Sequence, residues 1–166
     1  MQVFIVGSPL ETARALDPKR LNRQIQETKV ILAALNGAKA WSNHPCVLQY
    51  RGREEWLRAY KECLECYVRG DEGKALWASN LADYWRPMFH TQEYFSAMKA
   101  RLYTKDKEHY KQWAYLGESD CNWYFVDGEW RKYVNGKRVD KQPKTRGRKS
   151  MTSMAVEIAK KLGWID

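Results

Sequence analysis

The sequence predicts a mainly α protein: a compact helical bundle to about residue 116, a small C-terminal β-meander, and a terminal helix. Three observations carry that expectation. Up to residue 116, apolar residues recur at helical spacing in runs bounded by Gly and Pro. Beyond it, NWYFV, EWRKYV and KRV are short β-prone runs separated by Asp127-Gly128 and Asn135-Gly136, dipeptides that suit two-residue hairpin turns. A chain of 166 residues with 44% hydrophobic and 13% aromatic content can also bury one sizeable core and carry a small appendage. The expected division is a helical domain over 1–116, a meander over 117–140, and a basic linker with the terminal helix over 141–166.

The helix from Asp17 to Gly37 organises the chain. Asp17 suits the cap, Pro18 the first helical position, and Gly37 the left-handed residue that ends it. Leu21, Ile25, Thr28, Leu32 and Leu35 form the stripe expected to be buried. At about 100° per residue, Arg20, Gln24 and Glu27 fall together beside that stripe, with Arg23 a little further round. The plainest reading of this set is a solvated face with an i,i+4 ion pair between Arg23 and Glu27.

The other elements follow in order. Gln2 to Val6 is an apolar run, buried or extended, and Ser8-Pro9 opens a short helix through Leu16. After Gly37 comes a loop, AKAWSNHPCVLQYRG. A second long helix runs from Arg53 to Arg69, with Trp56, Leu57, Tyr60, Cys63, Leu64, Tyr67 and Val68 on one side, and Gly70 ends it. A third, from about Glu72 to Trp85, carries Leu76, Trp77, Leu81, Tyr84 and Trp85, and Pro87 stops it. A fourth begins near Thr91 and presents Tyr94, Phe95, Met98 and Leu102. Asp106 suits the cap of a short helix from Lys107 to Tyr115, and Ser153 to Leu162 reads as the terminal helix.

The formal net charge of +9 suggests a polyanionic partner, most simply nucleic acid. No stretch approaches the roughly 20 apolar residues needed to span a bilayer. The start, MQVFIVGSP, lacks a charged leader, so a cytoplasmic location is expected, in a host cytoplasm if the chain is phage-encoded. Cys63 and Cys66 form a CxxC inside an apparent helix, with His44 and Cys46 as the only nearby further zinc ligands in sequence. Reduced core or surface thiols are the favoured reading of all four cysteines. The HxE and PCxxC of a zinc nucleobase deaminase are missing, as are a Gly-rich phosphate loop, HExxH and a Ser/His/Asp set. No metal or cofactor is expected.

The order LDPKRLNRQIQETKVILAALNG, WSNHP, YRGREEWLRAYKECLECYVRG and RLYTKDKEHYKQW resembles the pyrimidine-dimer DNA glycosylase family of the endonuclease V type, over roughly residues 1–115. The resemblance implies an N-terminal amine that attacks the sugar C1′ and displaces the base, an imine that allows strand cleavage at the abasic site, and a glutamate on the first long helix that assists. By position Glu27 matches that glutamate. Gln26 stands where the family often has an arginine, and Arg20 or Arg23 is placed to substitute for it. Residue 2 is the bulky Gln2, so Met1 is expected to be retained and its amine becomes the candidate nucleophile. Lys19 is a second amine, expected to point away from Glu27. His44 with Pro45 matches the family's loop motif, where it contacts DNA or a catalytic water, or simply holds the loop by hydrogen bonds.

Lys105, Lys107, His109, Tyr110, Lys111 and Trp113 mix bases with aromatics, suited to phosphate contact and stacking near a flipped nucleotide or to a core with a basic outer face. Lys137 to Lys149 holds seven basic residues against one acid. Arg146 and Arg148 flank Gly147 there, as in a minor-groove hook, but Lys149 replaces the hook's proline, so the segment reads as a nonspecific phosphate-binding linker. The expected function is a DNA glycosylase, with or without abasic-site lyase activity, acting as a monomer on double-stranded DNA that carries a damaged or modified pyrimidine. The alternative is a non-catalytic DNA-binding protein on the same scaffold.

Overall fold

The computed structural model describes residues 1–140. The expected terminal helix, Arg146 and Arg148 lie outside the described residues. Six α-helices come first: α1 (Pro9–Ala15), α2 (Pro18–Leu35), α3 (Pro45–Gln49), α4 (Glu54–Val68), α5 (Glu72–Tyr84) and α6 (Gln92–Lys105). A 3₁₀ turn (Lys111–Leu116) then leads into β1 (Cys121–Val126), β2 (Glu129–Val134) and β3 (Lys137–Arg138).

The helix ends follow local chemistry. Ser8 and Glu11 close a reciprocal capping box on α1. Asp17, Asp71 and Thr91 each accept the backbone N–H three residues on, at the starts of α2, α5 and α6. The stretch 38–52, expected as loop, contains the short helix α3, because the His44 ring caps it and Pro45 occupies its first position. The expected helix from Lys107 to Tyr115 is instead a turn at Asp106, whose carboxylate accepts from the His109 N–H, followed by the 3₁₀ segment.

On α2 the expected stripe is buried at Leu21, Ile25, Thr28 and Leu32, and Ile31 joins it. An α4 column continues the core: Tyr50 stacks on Trp56 with centroids 5.4 Å apart, and Trp56 on Tyr60 at 5.0 Å. Helix α5 buries its small residues and leaves large ones outside. Its buried side is Ala75, Ala78, Ser79 and Ala82, whereas Trp77 is 64% and Tyr84 83% exposed. The small residues let α5 approach α4 closely, where Ala75 and Ala78 pack against Leu10, Cys63 and Cys66. The CxxC is therefore part of a small core. All four cysteines are free, and the described residues contain no metal-binding group of His, Cys, Asp and Glu.

The meander is antiparallel in the order β1-β2-β3. Asp127 and Gly128 have φ of 54° and 79°, and Asn135 and Gly136 of 49° and 76°, the doubly left-handed turns that match strand twist. The first turn fixes the register Tyr124↔Arg131. It thereby sends Tyr124 and Val126 into the core shared with the helices.

Candidate active site

Residues 2–6 run through the core without a neighbouring strand, so side chains must satisfy their backbone groups. The N–H groups of alternate residues are each taken by a different side chain. Gln2 donates to Glu27 Oε2 at 3.0 Å, Phe4 to Gln24 Oε1 at 2.8 Å, and Val6 to Thr12 Oγ1 at 3.0 Å. The carbonyls are held in the same way. Gln24 Nε2 donates to the Gln2 oxygen at 2.9 Å, Tyr60 Oη to that of Phe4 at 2.6 Å, and Tyr124 Oη to that of Met1 at 3.0 Å. Gln24, expected at the edge of the stripe, is 1% exposed, and its amide occupies the place a neighbouring strand would take.

Glu27 lies one turn along α2 from Gln24 and faces a cleft of 530 Å³ lined by Phe4, Lys19, Arg20, Asn22, Arg23, Gln24, Gln26, Glu27 and Lys105. Its carboxylate is 16% exposed and binds in three directions. Oε2 takes the Gln2 amide and, at 3.5 Å, Gln24 Nε2, while Oε1 takes Arg23 Nε at 3.0 Å. The expected Arg23–Glu27 ion pair is thus present. The backbone group that Glu27 holds is the amide of residue 2, one residue beyond the Met1 amine. His44 is near both groups. Burial and then the terminal amine push its ring below the ordinary histidine range, and Glu27 opposes that shift. Its Nδ1 accepts the Cys46 N–H at 3.1 Å, so the hydrogen-bonding reading of the NHP loop holds for that nitrogen.

The remaining candidates separate. Arg20 is bound to Asp17 at 2.6 Å, to Asp106 at 3.4 Å and to the Lys105 carbonyl at 3.1 Å, so it latches the start of α2 to the end of α6. Burial opposes the charge on Asp17, yet hydrogen bonds from Arg20 and Tyr110 hold its carboxyl down at about 2. Tyr110 is fully buried, stacked on Trp113 at 5.3 Å, and donates to Asp17 at 2.7 Å, which leaves its ring no free face for a base. Lys107 pairs with Glu118, and Lys111 with Glu108 at 3.1 Å, both exposed. Lys19, expected to point away from Glu27, lines the same cleft, two turns or about 12 Å further up the helix. Lys105 lines the opposite wall, where desolvation, then Arg101 and Arg20, lower its affinity for a proton, against the pull of Glu27. Sequence reasoning missed Gln24 as a structural clamp and Tyr124 altogether. Helical periodicity signalled the first only as a residue beside the stripe, and no local signal joins residue 124 to residue 1.

These features define a basic helical protein with a carboxylate held against its N-terminal segment, in a cleft with Lys19, Arg23 and Lys105 on its walls. Residues 1–70 match the model of the pyrimidine dimer DNA glycosylase family. The matched stretch ends at Gly70, shorter than the resemblance seen in the sequence, and includes Gln24, Glu27, His44 and Pro45 but neither Lys105 nor the meander. Neither the curated proteins nor the solved structures contain a match. The match covers 70 of the 166 residues and makes the N-terminal stretch similar to that family. None of the described helices is long and apolar enough to cross a membrane.

Proposed function

We propose that this protein is a DNA N-glycosylase with abasic-site lyase activity, which releases a damaged or modified pyrimidine from duplex DNA through its Met1 amine assisted by Glu27. The observation that carries this reading is the hydrogen bond from the Gln2 amide to Glu27, because it holds a carboxylate one residue from the chain's first amine, inside a cation-lined cleft. The target nucleotide is turned out of the stack into that cleft. Arg23, Gln26 and Lys105 are placed to meet the phosphates around it, with Lys107 and Lys111 further along the same basic segment.

The chemistry needs no cofactor. The neutral amine attacks C1′, the glycosidic bond breaks, and its electron pair leaves on the base, which takes up a proton. The nitrogen lone pair then opens the sugar at C1′–O4′, whose electrons leave on O4′ as it takes up a proton, and an iminium joins the Met1 nitrogen to C1′. Glu27 stabilises that cation and then removes a proton from C2′. The freed electron pair makes C2′=C3′ a double bond, the C3′–O bond breaks, and the 3′ phosphate departs with that bond's electrons. Water hydrolyses the iminium and restores the amine.

The test is borohydride trapping on duplexes carrying a pyrimidine dimer, an abasic site or a modified pyrimidine. A covalent protein–DNA species is expected. Glu27→Gln retains an acceptor for the Gln2 amide but loses the charge, so DNA binding should persist while cleavage slows by about 10²–10⁴-fold. A blocked N-terminal extension should abolish trapping. Trapping that survives the extension would assign the amine to a lysine, with Lys105 and Lys19 the ones in the cleft. Neither trapping nor base release on any substrate would favour the non-catalytic DNA-binding protein, a reading for which the Arg23–Glu27 pair would be merely structural.

A further inference from the structure

The peptide unit between Met1 and Gln2 is held on both sides. Its N–H donates to Glu27 Oε2 and its carbonyl accepts from Tyr124 Oη, each at 3.0 Å. An amide is planar and its N–H and C=O bonds lie in that plane, so two directional hydrogen bonds, one on each polar atom, restrain the plane and with it the Met1 Cα. The amine nitrogen is then left with rotation about one bond, Cα–C. With an N–Cα bond of about 1.46 Å and an angle of about 111°, that rotation moves the nitrogen on a circle of about 1.4 Å radius. An attacking atom must be placed within about 3–3.5 Å of its target, and a misplacement of about 1 Å costs about 10²-fold in rate. Two anchors on one peptide unit therefore suit a nucleophile.

We propose that Tyr124 is a positioning residue for the Met1 amine, supplied by the meander from outside the family-matched stretch. The proposal rests on the Met1 amine being the nucleophile. Glu27, the first anchor, lies inside residues 1–70, whereas Tyr124 lies on β1, where the Asp127-Gly128 turn sets the register that brings it inward. A slip of one residue would present Trp123 or Phe125 instead. The ring is wedged between His44, with centroids 5.9 Å apart, and Tyr133 at 5.4 Å, both edge-on, so the hydroxyl has a fixed direction. Burial pushes the phenol well above its ordinary range, so it remains a donor at every working pH. The meander thus completes a site whose other parts come from the helices.

The experiment uses the full chain with Tyr124→Phe, which deletes the hydroxyl and keeps the ring packing. Tyr133→Phe is the control, removing a neighbouring hydroxyl from the same sheet. Single-turnover cleavage, borohydride trapping and duplex affinity are measured for both on an abasic-site duplex, with kcat and KM on a substrate that turns over. For Tyr124→Phe the trapping rate and kcat should fall about 10–100-fold, while KM and duplex affinity stay within about twofold. The loss should be uniform across pH, because the amine is misplaced and not retitrated. Tyr133→Phe should behave as wild type. Undiminished trapping in Tyr124→Phe overturns the proposal and leaves the amine mechanism standing. An equal loss in Tyr133→Phe also overturns it, since the effect would then be general loosening of the sheet. A wild-type protein that is never trapped removes the mechanism first, and the role of Tyr124 with it.

Discussion

Replacing Gln24 by methionine tests whether a single amide stands in for a missing strand. Methionine is close in volume and unbranched, so it leaves little cavity. It removes the acceptor for the Phe4 N–H at 2.8 Å and the donor to the Gln2 carbonyl at 2.9 Å, at a site 1% exposed. The two backbone groups are left buried and unpaired at a cost of about 1–3 kcal/mol each, or about 2–6 kcal/mol together. The assay is urea unfolding at neutral pH, with amide hydrogen exchange at Phe4. The midpoint should fall with an unchanged slope, and Phe4 should lose its protection. Gln24→Glu sharpens the test. A protonated glutamic acid reproduces both bonds, and burial favours that neutral form, raising the folded pKa. Its stability should therefore approach wild type below about 4.3, the free glutamate value, and be lost as pH rises through the raised folded value. A methionine variant destabilised by less than about 1 kcal/mol would refute the reasoning.

Three further outcomes follow from the structure. Burial, then Arg86, depress the His90 imidazole to about 3, so below about 6.5 the unfolded chain binds a proton that the fold does not. Stability should fall by about 1.4 kcal/mol per unit as pH drops from about 6.5 toward 3, a slope seen in denaturant midpoints and absent in a His90→Phe variant that folds. On α5, Ala78→Leu should cost about 1–3 kcal/mol by overpacking against α4, whereas Trp77→Ala, on the exposed side, should stay within about 0.5 kcal/mol in thermal unfolding. Asp17→Asn should remove the acid-labile part of the Arg20–Tyr110 latch. The wild type should lose that stability as pH falls from about 3.9 through about 2, and the variant should not, as acid titration followed by circular dichroism would show.

The sequence by itself determined whatever is encoded within a few residues. Ser8, Asp17 and Thr91 cap their helices because the oxygen and the free N–H groups are three residues apart. Asp127-Gly128 and Asn135-Gly136 close the hairpins because few other residues adopt left-handed angles cheaply. The Arg23–Glu27 pair follows from one helical turn, and the glycosylase-like order of segments is itself a property of the linear text. Tertiary structure decided the rest. Hydrophobicity alone points Trp77 and Tyr84 of α5 inward, but close approach to α4 selects Ala75, Ala78 and Ala82 instead, because two helices can near each other only where side chains are small. Arg20 is basic in any reading, yet Asp106, far along the chain, commits it to a latch. Gln24 became a strand substitute only when residues 2–6 were threaded past it, and Tyr124 reached Met1 only when the meander docked on the helices. Such partners are more than 19 residues apart in sequence, so no period or motif along the chain can register them, and only packing brings their donors and acceptors within hydrogen-bonding distance.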